Sequence, residues 1–253
     1  MSELFNAIQQ NNTTKALQII ESGHYDPNYI DKHGYTALLW ACQRNLSDVA
    51  FALIASDKSN PGQVNKYGNT ALLFACRNKM TDVAIALIAT KQSKPEYIDK
   101  YGDTALIYAC IRKMPDIALA LIATGKSKPE HISKHCGTAL LFACYNNMPD
   151  VALALIATGQ SKPEQVNSYG DTALIYACIR DMPDVAMALI ATGKSNPGQI
   201  NKYGYTALTY AKRHNLVAVI NAFENYDNYI ASLQQIAQSN LYDDPNYVMS
   251  IDI

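Results

Sequence analysis

Two Gly-Lys-Ser triplets, at 125–127 and 193–195, could form the end of a phosphate-binding loop. Such a loop needs another glycine five positions before its Gly-Lys pair and a strand leading into it, because its backbone N–H groups wrap the phosphates. Here Ala120 and Ala188 hold that position inside apolar, helical runs, so the triplets read as helix caps and loop residues. His131, His135 and Cys136 carry three groups able to ligate a transition metal. His131 takes the place held elsewhere by Gln63, Tyr97 and Gln165, and His135 that of Tyr67, Tyr101 and Tyr169, so both read as ordinary surface variation. Asn12-Thr13-Thr14 matches a glycosylation acceptor, which has no meaning without a secretory signal. No Ser/His/Asp or Cys/His set recurs with a spacing that would assemble a nucleophile. The chain is expected to be non-catalytic, with no cofactor and no metal.

The elements that carry these residues repeat. Thr36, Thr70, Thr104, Thr138, Thr172 and Thr206 recur every 34 residues, and a fixed period of this size marks a solenoid. Cys42, Cys76, Cys110, Cys144 and Cys178 share one repeat position. Equivalent stacked helices lie about 8–10 Å apart, beyond the roughly 7 Å between Cα atoms that a disulfide spans, so these thiols do not pair with one another. They are expected to be small buried hydrophobes in a reducing compartment.

One unit, residues 99–132, shows the local logic. Tyr101-Gly102-Asp103 reads as a turn, Thr104 as a helix N-cap, and Ala105 to Arg112 as a short apolar helix. Pro115 suits the first position of a second helix and Asp116 the positive end of its dipole. Ile117 to Ala123 is apolar throughout, and Thr124-Gly125 closes the helix with a C′ glycine. Lys126 to His131 then forms a turn-rich finger into the next unit. A two-repeat period lies inside the first, since Ala-Leu-Ile-Tyr-Ala-Cys-Ile-Arg stands at 105–112 and again at 173–180.

Tetratricopeptide arrays share the 34-residue period but use longer helices and shorter connections. The block Gly-x-Thr-Ala-Leu-x-x-Ala-Cys instead resembles the ankyrin signature Gly-x-Thr-Pro-Leu-His-x-Ala-Ala. The resemblance implies an all-α ankyrin-repeat solenoid of stacked helix-turn-helix units with finger loops. The chain departs from that signature in three ways. Ala replaces Pro, and Leu39, Leu73, Ile107, Leu141, Ile175 and Thr209 replace His, which removes the hydrogen bonds that usually tie neighbouring turns. One residue is added in the finger. Cys136 stands where Gly34, Gly68, Gly102, Gly170 and Gly204 stand, and the following Gly137 is expected to remodel that turn.

Seven units are expected: an N-terminal capping repeat over 1–33, made polar by Asn6, Asn11 and Asn12; five interior repeats over 34–203; and a C-terminal repeat with a capping helix over 204–239. Lys212 replaces the buried cysteine there, and Ile230, Leu233, Ile236 and Ala237 read as a helix laid over that end. Residues 240–253 form an acidic, tyrosine-bearing tail expected to be loosely ordered. With 21 Lys+Arg against 22 Asp+Glu the net charge is −1, which gives no global field toward nucleic acid or anionic lipid. No signal peptide and no run of membrane-spanning length is read, so an intracellular, cytoplasmic protein with no membrane insertion is expected. The all-repeat style resembles ankyrin expansions of large DNA viruses and intracellular microbes, which would imply a host cytoplasm.

The resemblance further implies that turn tips and the exposed side of the first helix line a concave groove. In this chain those positions supply Lys66, Tyr67, Lys100, Tyr101, Asp103, Tyr169, Asp171, Tyr203 and Tyr205 from the turns. The first helices supply Arg77, Ile111, Arg112, Tyr145, Ile179 and Arg180. Tyr and Arg bury large area with few rotors and keep polar handles, so an aromatic, basic face predicts a protein-binding scaffold or adaptor for an acidic, extended segment. Single-stranded nucleic acid could use the same stacking, but Asp103 and Asp171 interrupt the face. The rival reading lies on the second helices. Phe51, Ile85, Leu119, Leu153 and Met187 form an apolar column where ankyrin repeats usually carry charge. Cover by the finger and neighbouring side chains is expected, the alternative being a ridge through which the chain self-associates into a homo-oligomer.

Overall fold

The computed structural model describes residues 3–56 and 58–225. The helix expected around Ile230 to Ala237 and the tail over 240–253 lie outside the described residues. Helices come in antiparallel pairs: α1 (Glu3–Gln9) with α2 (Thr13–Ser22), α3 (Ala37–Gln43) with α4 (Ser47–Ala55), and α5 (Ala71–Arg77) with α6 (Thr81–Ala89). Next come α7 (Ala105–Ile111) with α8 (Pro115–Ala123), α9 (Ala139–Tyr145) with α10 (Pro149–Ala157), and α11 (Ala173–Ile179) with α12 (Pro183–Ala191). The last is α13 (Ala207–Arg213), which precedes a helical segment over 217–225. Among the described residues there is no strand, only an isolated bridge between Ile98 and Thr104.

Helices of seven and nine residues are too short to persist alone, so their ends are closed by side chains and their faces by neighbours. Each repeat threonine from Thr36 to Thr206 is in extended backbone, and its Oγ1 accepts the N–H three residues on, at 3.2 Å. The two helices of a unit are joined through one left-handed residue, Asn45, Lys79, Lys113, Asn147, Asp181 or Asn215, with φ of 54 to 60°. Asn12 caps α2 through its side chain, but the second helices α4 to α12 start without a side-chain cap; Met80, Met114, Met148 and Met182 sit there as buried plugs, and Pro follows in α8, α10 and α12. Thr124, Thr158 and Thr192 donate Oγ1–H to the carbonyl three residues back at 2.6 Å, ahead of left-handed Gly125, Gly159 and Gly193.

First helices stack on first helices and second helices on second helices. The column Leu72, Leu106, Leu140 and Leu174 is fully buried, as are the five column cysteines. All six cysteines are unpaired. Burial pushes the thiols of Cys76 and Cys178 up to about 12, which suppresses the reactive thiolate. Among the described residues the one ion pair is Lys15 to Glu3 at 2.8 Å, so burial and capping, not charge, hold the stack.

Cys136 corrects an expectation. It adopts φ 61° itself, and its N–H reaches Ser133 O at 3.0 Å, as Gly34 reaches Asp31 O at 2.9 Å and Gly102 reaches Asp99 O at 3.0 Å. The turn is therefore kept, not remodelled. Gly137 serves a different purpose: a Cβ there would lie 2.4 Å from Cε2 of Phe142, whose ring has taken that space.

Candidate interaction face

A column that the repeat reading passed over organises every turn. Asp31, Asn65, Asp99, Ser133, Asn167 and Asn201 each offer one side-chain oxygen to the N–H groups two and four residues on, at 2.8 to 3.4 Å. These bonds hold the turn tip that carries Tyr67, Tyr101, Tyr169 or Tyr203. The second atom of the same side chain reaches an aromatic residue nine positions on. Trp40 Nε1–H donates to Asp31 Oδ2 at 3.0 Å, the Tyr108 hydroxyl donates to Asp99 Oδ2 at 2.7 Å, and Asn167 Nδ2 donates to the Tyr176 hydroxyl at 2.8 Å. This handle follows the two-repeat period: Phe74 and Phe142, nine positions after Asn65 and Ser133, lack it, and Asn65 Nδ2 is buried with no partner.

Neighbouring units are tied by different residues in different copies. Lys66 N–H donates to His33 O at 3.0 Å, and Lys202 N–H to Tyr169 O at 2.9 Å. The missing signature histidine is offset by the column Gln63, His131 and Gln165, which reaches the preceding turn's carbonyl at 2.9 to 3.4 Å. His131 is thus a tie between repeats, where surface variation was expected. Asn78 and Asn146 cap the end of the preceding first helix, donating to Cys42 O at 2.8 Å and Cys110 O at 2.9 Å.

Tyr67, Tyr101, Tyr145, Tyr169, Tyr203 and Tyr205 remain 37 to 63% exposed. Cations lie against several of them. Lys100 Nζ stands 4.9 Å from the Tyr101 ring centre, and the Arg180 guanidinium lies 5.2 Å from that of Tyr145 while its Nε–H donates to Tyr145 O at 2.9 Å. Lys134 Nζ donates to Lys100 O at 2.6 Å. Lys66, Arg112 and Arg180 are exposed, whereas Arg77 is half-buried, 4.7 Å over Phe74. Ile111 and Ile179 are half-buried against the core and present only their edges.

Asp103 and Asp171 do not belong to the exposed face; they are 5% and 6% exposed, turned into the junction with the next unit. Asp171 Oδ1 accepts from Asn201 Nδ2 at 2.8 Å. Asp103 Oδ1 is buried with no partner. Burial, then the neighbouring Asp99, raises the Asp103 carboxyl to about 6, with His135 and His131 pulling in the other direction. Asp31 goes the opposite way. Its burial disfavours the charge but is outweighed by donors from Tyr35, Trp40 and His33, which hold the carboxyl below its usual range.

The second-helix column is also corrected. Phe51, Ile85 and Met187 are 37 to 47% exposed, while Leu119 and Leu153 are half-buried. The column lies at the middle of each nine-residue second helix, and the stripe is only partly covered.

The helix pairs, capped turns and stacked cores define an ankyrin-type solenoid. The family profile "Ankyrin repeats (3 copies)" matches residues 4–97, 47–131 and 140–229, and the chain belongs to the ankyrin repeat family. No curated protein sequence matches it significantly. Among solved structures, the Bd0816 predatory endopeptidase from Bdellovibrio bacteriovorus in complex with immunity protein Bd3460 contains a similar chain. That chain is 28% identical, with a TM-score of 0.55, covering 74% of this chain and 95% of the other. The ankyrin repeat domain of Bcl-3 is 20% identical at a TM-score of 0.59, over 87% and 98% of the two chains. That of human ASB11 is 22% identical at 0.58, over 83% and 91%. These two share the fold. Ankyrin repeats are in general non-catalytic modules for binding proteins, and no helix among the described residues is long and apolar enough to cross a membrane.

Proposed function

We propose that this array is a non-catalytic adaptor that holds a partner protein against its turn tips and first helices. The carrying observation is the row of exposed tyrosines, each set on a hydrogen-bonded turn or helix end, with a lysine or arginine over the rings of Tyr101, Tyr145 and Tyr205. Lys66, Tyr67, Arg77, Lys100, Tyr101, Arg112, Tyr145, Tyr169, Arg180, Tyr203 and Tyr205 make the contacts, and Ile111 and Ile179 add apolar edges. Rings fixed in this way lose little entropy on binding, and their cations favour an acidic, extended segment. Withdrawal of Asp103 and Asp171 from the face leaves its basic character less interrupted. The similar chain in the endopeptidase–immunity protein structure accords with a role in protein–protein association. The unpaired buried cysteines support a reducing, intracellular setting.

The test is capture from cell extract with the wild-type chain beside a variant carrying Tyr67→Ala, Tyr101→Ala, Arg112→Ala, Tyr169→Ala and Arg180→Ala, matched for helicity. Loss of the partner from the variant alone supports the proposal; equal capture refutes it. A second reading rests on the exposure of Phe51, Ile85 and Met187, through which two copies could associate. Sedimentation of the wild type and of a Leu119→Asp/Leu153→Asp variant decides it: a monomer at high micromolar concentration in both rules this assembly out.

A further inference from the structure

In the fourth interior junction of the turn face, between the units of α9 and α11, lies a recess of about 220 Å³ walled by His135, Gly137, Phe142, Tyr145, Tyr169 and Tyr176. The array supplies its own template for what fits there. Three repeats earlier the same six positions are His33, Tyr35, Trp40, Gln43, Tyr67 and Phe74. In that copy the Tyr35 ring fills the space, 4.6 Å from Trp40, 6.1 Å from Phe74 and 6.5 Å from Tyr67, and is 6% exposed. At Gly137 no side-chain ring is supplied; the Phe142 ring leans over the glycine into part of that space, and Tyr145 and Tyr176, in an edge contact at 5.2 Å, wall what stays open.

We infer that this recess is the anchor of the turn face and takes an aromatic side chain presented by an acidic, extended segment of a partner protein, an inference that rests on the adaptor reading above. Size, wall chemistry and charge agree. The volume is below the ~300–1,000 Å³ of pockets for whole small molecules and suits one inserted ring. Aromatic walls favour edge and offset-stacked contacts with another ring. No carboxylate lines the recess, Arg180 lies over Tyr145, and the exposed Lys134 and Lys202 flank His135 and Tyr203 along the turn tips, so acidic residues beside the ring are matched. The backbone of Gly137 is outside the left-handed region, and the nearest atoms a Cβ there would meet belong to the Phe142 ring, which is the far end of a movable side chain.

The test titrates the full chain, labelled on its tyrosine ring carbons, with acetyl-Asp-Asp-Tyr-Asp-Asp-amide and with the same peptide carrying Ala in place of Tyr, followed by NMR. The tyrosine peptide should bind about tenfold more tightly and shift the rings of Tyr145, Tyr169 and Tyr176. Gly137→Tyr, which supplies the ring internally as Tyr35 does, should abolish that difference; Tyr145→Ser, which opens the wall without adding bulk, should reduce it even where Gly137→Tyr folds poorly. Equal binding of the two peptides, or ring shifts confined to Tyr67 and Tyr101, overturns the inference. If the partner captured by wild type is lost from the five-alanine variant yet retained by Gly137→Tyr, the adaptor reading stands and the recess is not its anchor.

Discussion

Asp103 and Asp171 hold the same position in units whose first helices are identical in sequence, yet one is satisfied and the other is not. The difference comes from the following unit. Asn201 donates its Nδ2–H to Asp171, whereas Ser133, in the equivalent place, accepts from its own turn, makes no bond to Asp103, and leaves Asp103 Oδ1 buried and unpartnered. In a stacked array a residue's energetics are set at the junction, so identical repeats need not be equally stable.

The largest effect should come from Asn201→Ala. It removes the acceptor for the Tyr203 and Tyr205 N–H groups and leaves Asp171 in the condition of Asp103, at a cost of about 2–4 kcal/mol. Urea unfolding with amide exchange at Tyr203 and Tyr205 reads it. Next, the same substitution should have opposite signs at the two sites. Asp103→Asn removes an unpaired buried charge and should stabilise by about 1–2 kcal/mol at pH 7, while Asp171→Asn weakens a charge-assisted bond and should destabilise by a similar amount. Thermal melts of the pair check this.

The pH dependence sharpens the same contrast. Asp103 is raised to about 6 from an ordinary 3.8, so the folded chain holds this proton more tightly than the unfolded chain does. Its contribution to stability therefore falls as pH rises from about 3.8 to about 6, and the penalty is complete above that. The groups facing it are Asp99, Tyr108, His131 and His135. Measured as the melting difference between wild type and Asp103→Asn, the gap should shrink between pH 7 and pH 4 and stay constant above pH 7. A smaller gain, about 1 kcal/mol, is expected from Ser133→Asn, which gives Asp103 the donor that Asn201 gives Asp171. It should also flatten that pH profile.

Smallest is the thiol contrast. Cys136 is exposed and the other five are buried, so a maleimide should label one thiol per folded chain and six after denaturation. Labelling of more than one in the folded state would break the account of the cysteine column.

Much of the fold was legible in the sequence because it is written in local chemistry. The threonine caps, the prolines opening α8, α10 and α12 and the closing glycines all act within a few residues of themselves, so a period of 34 displayed them. The site was legible only in part. Tyr67, Tyr101, Tyr145 and Tyr169 are exposed, as a turn-tip or helix-end position implies. Asp103 and Asp171 were read as surface because turn residues usually are, but the next unit covers them. The column Asp31, Asn65, Asp99, Ser133, Asn167 and Asn201 was visible as oxygen-bearing side chains at fixed spacing and could have been read as the acceptors of each turn. Which of their second atoms would find a partner could not, since that depends on a neighbour 30 or 9 residues away.

The turn tips and first helices are proposed as the binding surface. Hydrogen exchange of the full chain with and without its captured partner tests this most directly. Protection gathered at Tyr67, Tyr101 and Tyr169 and along α7, α9 and α11, with none over the exposed side of α6, α8 and α10, is the predicted result. Protection along Ile85, Leu119 and Leu153 with the turns unchanged would contradict it.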